Sequence, residues 1–259
     1  MNQVAEPTEH ERSEVVEGAR PAAESSETEA ADHVRELFSS IAPTYDRLNH
    51  LLSFGLDRRW WRRTALTFRA VLTRPDARVL DICCGTGDLT AALLSERPSA
   101  AEPVTGLDFS NEMLGLAAHK YAGANVRWVE GDAMALPFPD NSVDLVTSAF
   151  GFRNLRNYAA GLAEIHRVLR PGGRIGILEC NQPGGLSGGV YNLYFHRVLP
   201  VVGGWISGRR AAYEYLPASV KRFPSAEALV AMLRDAGFDD AGYRLLGGSI
   251  VALHTGTAA

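Results

Sequence analysis

The stretch Val79-Leu80-Asp81-Ile82-Cys83-Cys84-Gly85-Thr86-Gly87-Asp88-Leu89-Thr90 decides the fold. A short apolar run carrying Asp81 leads into a turn with Gly85 and Gly87, and the alanine- and leucine-rich segment Leu89 to Leu94 follows. That order reads as a strand, a tight turn and a helix. Glycines at such a turn permit positive φ and let a ligand approach the backbone with no Cβ in the way. The free N–H groups of the turn and of the helix N-terminus favour a polar or anionic ligand. Any α/β protein can place glycines there, so the loop has to be weighed against its rivals. A nicotinamide-binding loop asks for a third glycine three residues after the second; position 90 is Thr90, and that fingerprint fails. Asp81 before the turn and Asp88 after it suit a ligand that also carries positive charge.

Outward from this loop the chain alternates between short apolar runs and helical patterns. Strands are predicted at Arg78–Cys83, Pro103–Asp108, Val126–Glu130, Val143–Ser148 and Arg174–Cys180, then around Gly242–Leu246 and Ser249–His254. Helices are predicted at Leu89–Glu96, Ser110–Tyr121, Tyr158–Val168 and Ser225–Ala236. The expected fold class is α/β, a doubly wound, seven-stranded, mostly parallel sheet with helices on both faces.

Composition is that of an ordinary globular chain, 46% hydrophobic and 22% charged over 259 residues, which is long enough for a sizeable core. The net charge of −4 is unevenly spread. Residues 1–32 hold nine acids against two arginines, so the rest of the chain is mildly basic, too weakly for a dedicated nucleic-acid binder. Residues 1–31 are expected to form a disordered acidic tail, and 32–259 the folded domain. Within it, 32–70 reads as an N-terminal helical lid. Its Leu51–Trp61 stretch, with the arginines that follow, mixes large apolar groups with four arginines; it reads as a helix packed on the domain or as a lid touching a membrane through Trp and Arg. The insertion 184–223 is rich in aromatic residues and too long for a plain connection. No apolar run reaches transmembrane length and no secretory signal is visible. Cys83, Cys84 and Cys180 match neither a disulfide framework nor a metal spacing, so no metal is expected.

In an open α/β sheet the ligand sits beyond the carboxyl ends of the strands. The first strand end offers Asp81, Gly85, Thr86 and Gly87. The second offers Asp108, at the spacing where an acid binds ribose hydroxyls; a helix cap is the competing role, and Ser110 can take it. The third offers Asp132 and Ala133, a carboxylate for an adenine amino group beside a small residue, or a plain turn acid. The fourth offers Arg153 and Asn154, a polar site or one member of a salt bridge. No Ser-His-Asp arrangement, phosphate-binding P-loop or metal cluster is present. Among ligands with positive charge, S-adenosyl-L-methionine carries both an ammonium and a sulfonium.

Together these motifs resemble the class I S-adenosylmethionine-dependent methyltransferases, a Rossmann-like fold. Further blocks are similar to the ubiquinone/menaquinone biosynthesis C-methyltransferase family: F-S-S-I-A-P-T-Y-D-R-L-N-H-L-L-S-F-G-L-D-R-R-W (38–60), A-L-P-F-P-D-N-S-V-D (135–144), A-F-G-F-R-N (149–154), Y-L-P-A-S-V-K-R-F-P (215–224) and G-G-S-I-V-A-L-H (247–254). The resemblance implies methylation of a ring carbon of a polyprenylated quinol, demethylmenaquinol to menaquinol, with S-adenosyl-L-methionine as cofactor. Contacts to it fall on Thr86, Asp108, Asp132 and Ala133. Ala149 stands where many members have Ser, so Ser148 is expected to supply the hydroxyl. Arg153 and Asn154 are expected to hold the quinol oxygen, with Tyr45 and Asp46 closing the site. The expected setting is cytoplasmic, peripherally attached to the inner face of the membrane, with no nucleic-acid partner and a homodimer left open. A benzoquinol or another phenol as acceptor, and a non-catalytic scaffold, are the competing readings.

Overall fold

The protein is described here from a computed structural model, covering residues 18–19, 26, 29, 32–37, 39, 46, 50, 53, 55–182 and 210–259, with only the backbone for 210–214 and 216. Tyr45 and most of the 184–223 insertion lie outside the described residues.

Seven strands form one sheet: β1 (Val79–Ile82), β2 (Val104–Asp108), β3 (Val126–Glu130), β4 (Val143–Ala149), β5 (Leu169–Cys180), β6 (Phe238–Leu246) and β7 (Val251–Ala258). Their spatial order is β3-β2-β1-β4-β5-β7-β6. The β1–β2, β2–β3, β1–β4 and β4–β5 pairs are parallel, and β7 runs antiparallel to both its neighbours. The helices include α1 (Asp57–Thr67), α2 (Arg69–Leu72), α3 (Asp88–Leu94), α4 (Asn111–Lys120), α5 (Tyr158–Val168), α6 (Arg210–Arg222) and α7 (Ala226–Asp235), and residues 32–37 are helical as well. This is the doubly wound architecture expected from the alternating pattern.

Strand order reverses between β1 and its neighbours β2 and β4, and the carboxyl ends of these strands open a crevice at that switch point. The two faces of β1 serve two cores. Leu80 and Ile82 pack with Leu162 and Ile165 of α5 and Leu229 of α7. Val79 packs on the opposite side with Ala65, Phe68 and Leu72 and with Leu89 and Leu93 of α3. Successive side chains of a strand alternate faces, so Asp81 shares the α3 side.

Three strand boundaries differ from the sequence expectation by four residues or more, one of them the end of β7, which runs to Ala258 in place of His254. β5 begins at Leu169, because Leu169 pairs with Val143 across a register shift before the main ladder starts at Leu145 and Arg174. Likewise β6 begins at Phe238, paired with Ala258 ahead of a shift between Asp239 and Gly242. Pro171, Gly172 and Gly173 look like a loop in isolation, and ladder pairing on either side overrides them.

Trp60 also departs from expectation. It is buried with Leu178, Val251 and Leu253, its ring 6.0 Å from that of Phe150. It is a core residue and is not available to a membrane. Trp61 is half-buried, edge-on to His50 at 5.8 Å. Truncating a buried tryptophan costs about 3–5 kcal/mol. Trp60→Ala is therefore expected to lower the melting temperature by roughly 10 °C in a thermal scan; an unchanged melting temperature with weakened vesicle binding would contradict this placement.

Candidate active site

Asp81 is fully buried at the floor of the crevice. Its oxygens accept hydrogen bonds from Thr90 Oγ1 of α3 (2.6 Å) and Thr147 Oγ1 of β4 (2.8 Å). One carboxylate thus clamps the strand before the glycine turn to the helix after it and to the neighbouring strand. The turn itself uses its two glycines differently. Gly85 has φ +54, and a Cβ there would meet nothing within 4 Å, because it would project into the open crevice. Gly87 has φ +85, and a Cβ there would lie 2.5 Å from the Trp128 ring. The first leaves room for a ligand and the second lets Trp128 pack under the loop.

Asp108 closes the second strand. Its Oδ2 accepts from Gly85 N–H at 2.8 Å and its Oδ1 from Ser110 N–H at 3.0 Å. Burial pushes its carboxyl up from the ordinary range. Ser110, as the sequence suggested, caps α4 by accepting from Met113 N–H, so Asp108 keeps its position on the crevice wall. Asp132 and Ala133 line the crevice at the third strand end beside Leu107 and Met113. Asp132 pairs with Arg156 at 2.8 Å, a residue the sequence reading did not single out.

The fourth strand end departs from expectation at two residues. Ala149 lines the crevice and Ser148 does not, since neighbours on a strand face opposite ways. The Ser148 hydroxyl is buried and has no hydrogen-bond partner among the described residues. Arg153 does not line the crevice either. Its Nη1 pairs with Glu179 Oε2 at 3.0 Å and also donates to the Phe150 carbonyl, and Glu179 Oε1 accepts from Arg153 N–H. Both side chains are buried, so Arg153 braces the turn Phe152–Asn154 against β5. Asn154 is the member of the pair that faces the crevice. Tyr215 OH of α6 donates to Asn154 Oδ1 at 2.8 Å. That bond occupies the amide oxygen and leaves the amide N–H groups as the donors Asn154 offers to a ligand. The signal for Tyr215 was its place in the block 215–224; a partner sixty-one residues away is not readable from spacing.

The N-terminal segment reaches the same crevice. Val34 and Arg35 line it, the Arg35 guanidinium lying 5.4 Å over the Phe109 ring. Asp46 Oδ1 accepts from Thr86 Oγ1 at 2.5 Å, and Lys120 bridges Asp46 (2.7 Å) to Asp88 (2.6 Å). The glycine turn, Asp81, Asp108, Asp132 and Ala133 therefore stand together in one crevice with Asn154 and with residues from before position 50. Open space at Gly85, carboxylates on the wall and apolar Leu107, Phe109 and Met113 fit a ligand with a cationic end and a flat ring. Burial raises the Cys83 and Cys84 thiols, so neither is poised as a thiolate nucleophile.

Burial pushes the Asp81 carboxyl up to about 7, only partly offset by the two threonine hydroxyls. In the unfolded chain it titrates near ~4. Between these values the folded protein holds a proton that the unfolded chain has released, so stability falls as pH rises through that window. Asp81→Asn removes this slope. Its melting temperature is expected to fall less than the parent's between about pH 5 and 8; parallel slopes would show that Asp81 is ionised throughout.

Residues 24–258 match the model of the ubiE/COQ5 methyltransferase family. A demethylmenaquinone methyltransferase of Thermus thermophilus is 51% identical over 223 residues, 85% of this chain and 99% of that protein. A ubiquinone/menaquinone biosynthesis C-methyltransferase of Geobacter sulfurreducens is 43% identical over 234 residues, 88% of this chain and 90% of that one. Among solved structures, a Haloferax volcanii putative methyltransferase, in complex with the Trm112 activator, superposes with a TM-score of 0.61 at 22% identity. It covers 85% of this chain and 97% of its own, a likeness of fold alone. With a family model spanning nearly the whole chain and relatives of this identity and coverage, the chain belongs to the ubiE/COQ5 methyltransferase family.

Proposed function

We propose that this chain transfers a methyl group from S-adenosyl-L-methionine to a ring carbon of demethylmenaquinol, giving menaquinol. The observation that carries the reading is the placement of Asn154 in the same crevice as the glycine turn and the three strand-end acids. The names of the Thermus and Geobacter relatives support the acceptor class.

S-adenosylmethionine, when bound, supplies an electrophilic methyl group. The residues that would hold it are the backbone at Gly85 and Gly87, Thr86, Asp108 for the ribose, and Asp132 with Ala133 at the base. Asp81 acts beneath them, fixing the turn.

The acceptor carbon becomes nucleophilic when the neighbouring hydroxyl loses its proton, so the site's task is to stabilise a phenolate. Asn154 donates its amide N–H to that oxygen, and the Arg156 cation on the crevice wall adds positive potential. Arg153 is a positioning residue: with Glu179 it braces the turn, and its guanidinium is already committed. Val34, Arg35 and Asp46 close the site from the N-terminal side, Asp46 latching onto Thr86, which excludes water from the two reactants, whereas α1, read from the sequence as part of the same lid, is packed on the domain. Residues 1–31 read as a disordered tail in the sequence, yet Ala19 is buried against Val34 and Tyr215 and its N–H donates to the Leu155 carbonyl at 2.8 Å, so this part of the segment packs beside the crevice.

The polyprenyl tail requires that the protein meet its acceptor at a bilayer. No helix among the described residues is long and apolar enough to cross a membrane. Peripheral attachment to the inner face from the cytoplasm is the arrangement that serves such a substrate.

Transfer of labelled methyl groups to reduced short-tail demethylmenaquinone, run beside the matching benzoquinol, tests the assignment. A higher kcat/KM for the naphthoquinol is expected; no transfer to either acceptor would overturn the reading. Asn154→Ala is expected to lower kcat by roughly a hundredfold, the usual cost of one oxyanion donor. Tyr215→Phe, which only frees the amide to turn, is expected to cost roughly tenfold. Calorimetric affinity for S-adenosylhomocysteine should stay at the parent value in both, and a matching loss of that affinity would place Asn154 on the cofactor instead.

A further inference from the structure

The outer face of α1 has no role in the site described above. Arg58, Arg59, Arg62 and Arg63 are all exposed there, and none ion-pairs with a described residue. Leu66, 38% exposed, belongs to the same face. At 3.6 residues per turn these five positions span an arc of about 140°. Leu66 lies near its middle, between Arg62 and Arg59. The opposite arc, with Trp60, Thr64 and Ala65, is buried on the domain. Asp57, the one acid of α1, is on the buried side, bonded to His50 and to the Arg58 backbone N–H. The free face therefore carries four positive charges around one apolar side chain and no negative charge. Arg69 of α2, 66% exposed, extends it beyond Phe68 and is only loosely matched by Glu96 at 3.7 Å.

An exposed helix face ordinarily mixes both signs of charge, since like charges on neighbouring turns repel. A face of arginines around a central apolar residue has the composition of a helix that lies in the plane of an anionic interface. Its location suits that partner. Trp61, at the edge of the same helix, lines the crevice, so a surface docked on the arginines lies beside the crevice mouth. The sequence reading had put tryptophans and arginines together at the membrane; Trp60 is in the core, and the arginines are what the helix presents.

We infer that Arg58, Arg59, Arg62 and Arg63, with Leu66 at their centre, dock the protein on an anionic lipid bilayer and set the crevice mouth against it. The inference rests on the quinol reading above, because a polyprenylated acceptor resides in that bilayer. Guanidinium groups are suited to phosphate oxygens, which they meet through a planar fork of donors.

The test uses the full chain and the variant R58Q/R59Q/R62Q/R63Q, cosedimented with phosphatidylcholine vesicles with and without phosphatidylglycerol. The parent should partition onto the phosphatidylglycerol vesicles alone and detach as salt is raised. The variant should lose that partitioning by roughly tenfold or more. Its melting temperature and its turnover of a detergent-soluble short-tail quinol should match the parent's, because no substituted side chain is packed or lines the crevice. Turnover of a long-tail quinol embedded in the vesicles should fall in the variant. Equal partitioning of parent and variant, no partitioning of the parent, or retention on RNA in place of vesicles would each overturn the inference. Should the parent partition as described yet transfer no methyl group to any quinol, the docking face stands and the acceptor assignment fails.

Discussion

One buried carboxylate sets the geometry on which the crevice depends. Asp81 is placed at the switch point of the sheet, where β1 parts from α3, and it accepts hydrogen bonds from the two elements it must hold together, through the Thr90 and Thr147 hydroxyls. A carboxylate removed from water is costly unless its lone pairs are filled. Filling them ties the helix N-terminus and β4 to the strand, and the backbone between Cys83 and Gly87 then has little freedom left. Gly87, with Trp128 packed beneath it, and Gly85, open to the crevice, follow from that constraint.

The side proposed for the acceptor has a second brace of the same kind. The Arg153–Glu179 pair is deeply buried, and such a pair adds little net stability relative to a well-packed apolar pair. Its effect is on shape. Glu179 takes both the backbone N–H and the guanidinium of Arg153, so the short turn after β4 cannot shift relative to β5. Asn154 emerges from this rigid turn, and Tyr215 decides which end of its amide looks into the crevice. Residues from before position 50 complete the wall through Val34 and through Asp46 on Thr86. The side proposed for the cofactor thus rests on the sheet, and the side proposed for the acceptor on α6 and the N-terminal segment.

Much of this was legible in the sequence, for local reasons. Strand–turn–helix periodicity, the failed third glycine at Thr90 and an acid at successive strand ends are short-range patterns. They located the crevice and the residues proposed to face the cofactor, and Ser110 caps α4 as anticipated. What was not legible depended on partners far along the chain. Arg153 looked like a site cation because nothing nearby in sequence shows Glu179 behind it. Ser148 looked like a substitute for Ala149, but on a strand adjacent residues cannot exchange faces. Trp60 and the arginines of α1 were read together, and only packing against Leu178 and Val251 separates the core stripe from the exposed one. Arg156 and Tyr215 carried no distinctive spacing, and both matter through bonds to Asp132 and Asn154.

The central claim is that this crevice forms a carbon–carbon bond on a quinol ring. The most direct measurement supplies S-adenosylmethionine labelled at its methyl carbon together with reduced demethylmenaquinone, and reads the product by carbon nuclear magnetic resonance. The account predicts a single labelled methyl on the ring carbon next to a hydroxyl. A labelled methoxy resonance, or label left wholly in S-adenosylmethionine while the protein is folded and binds it, would contradict it.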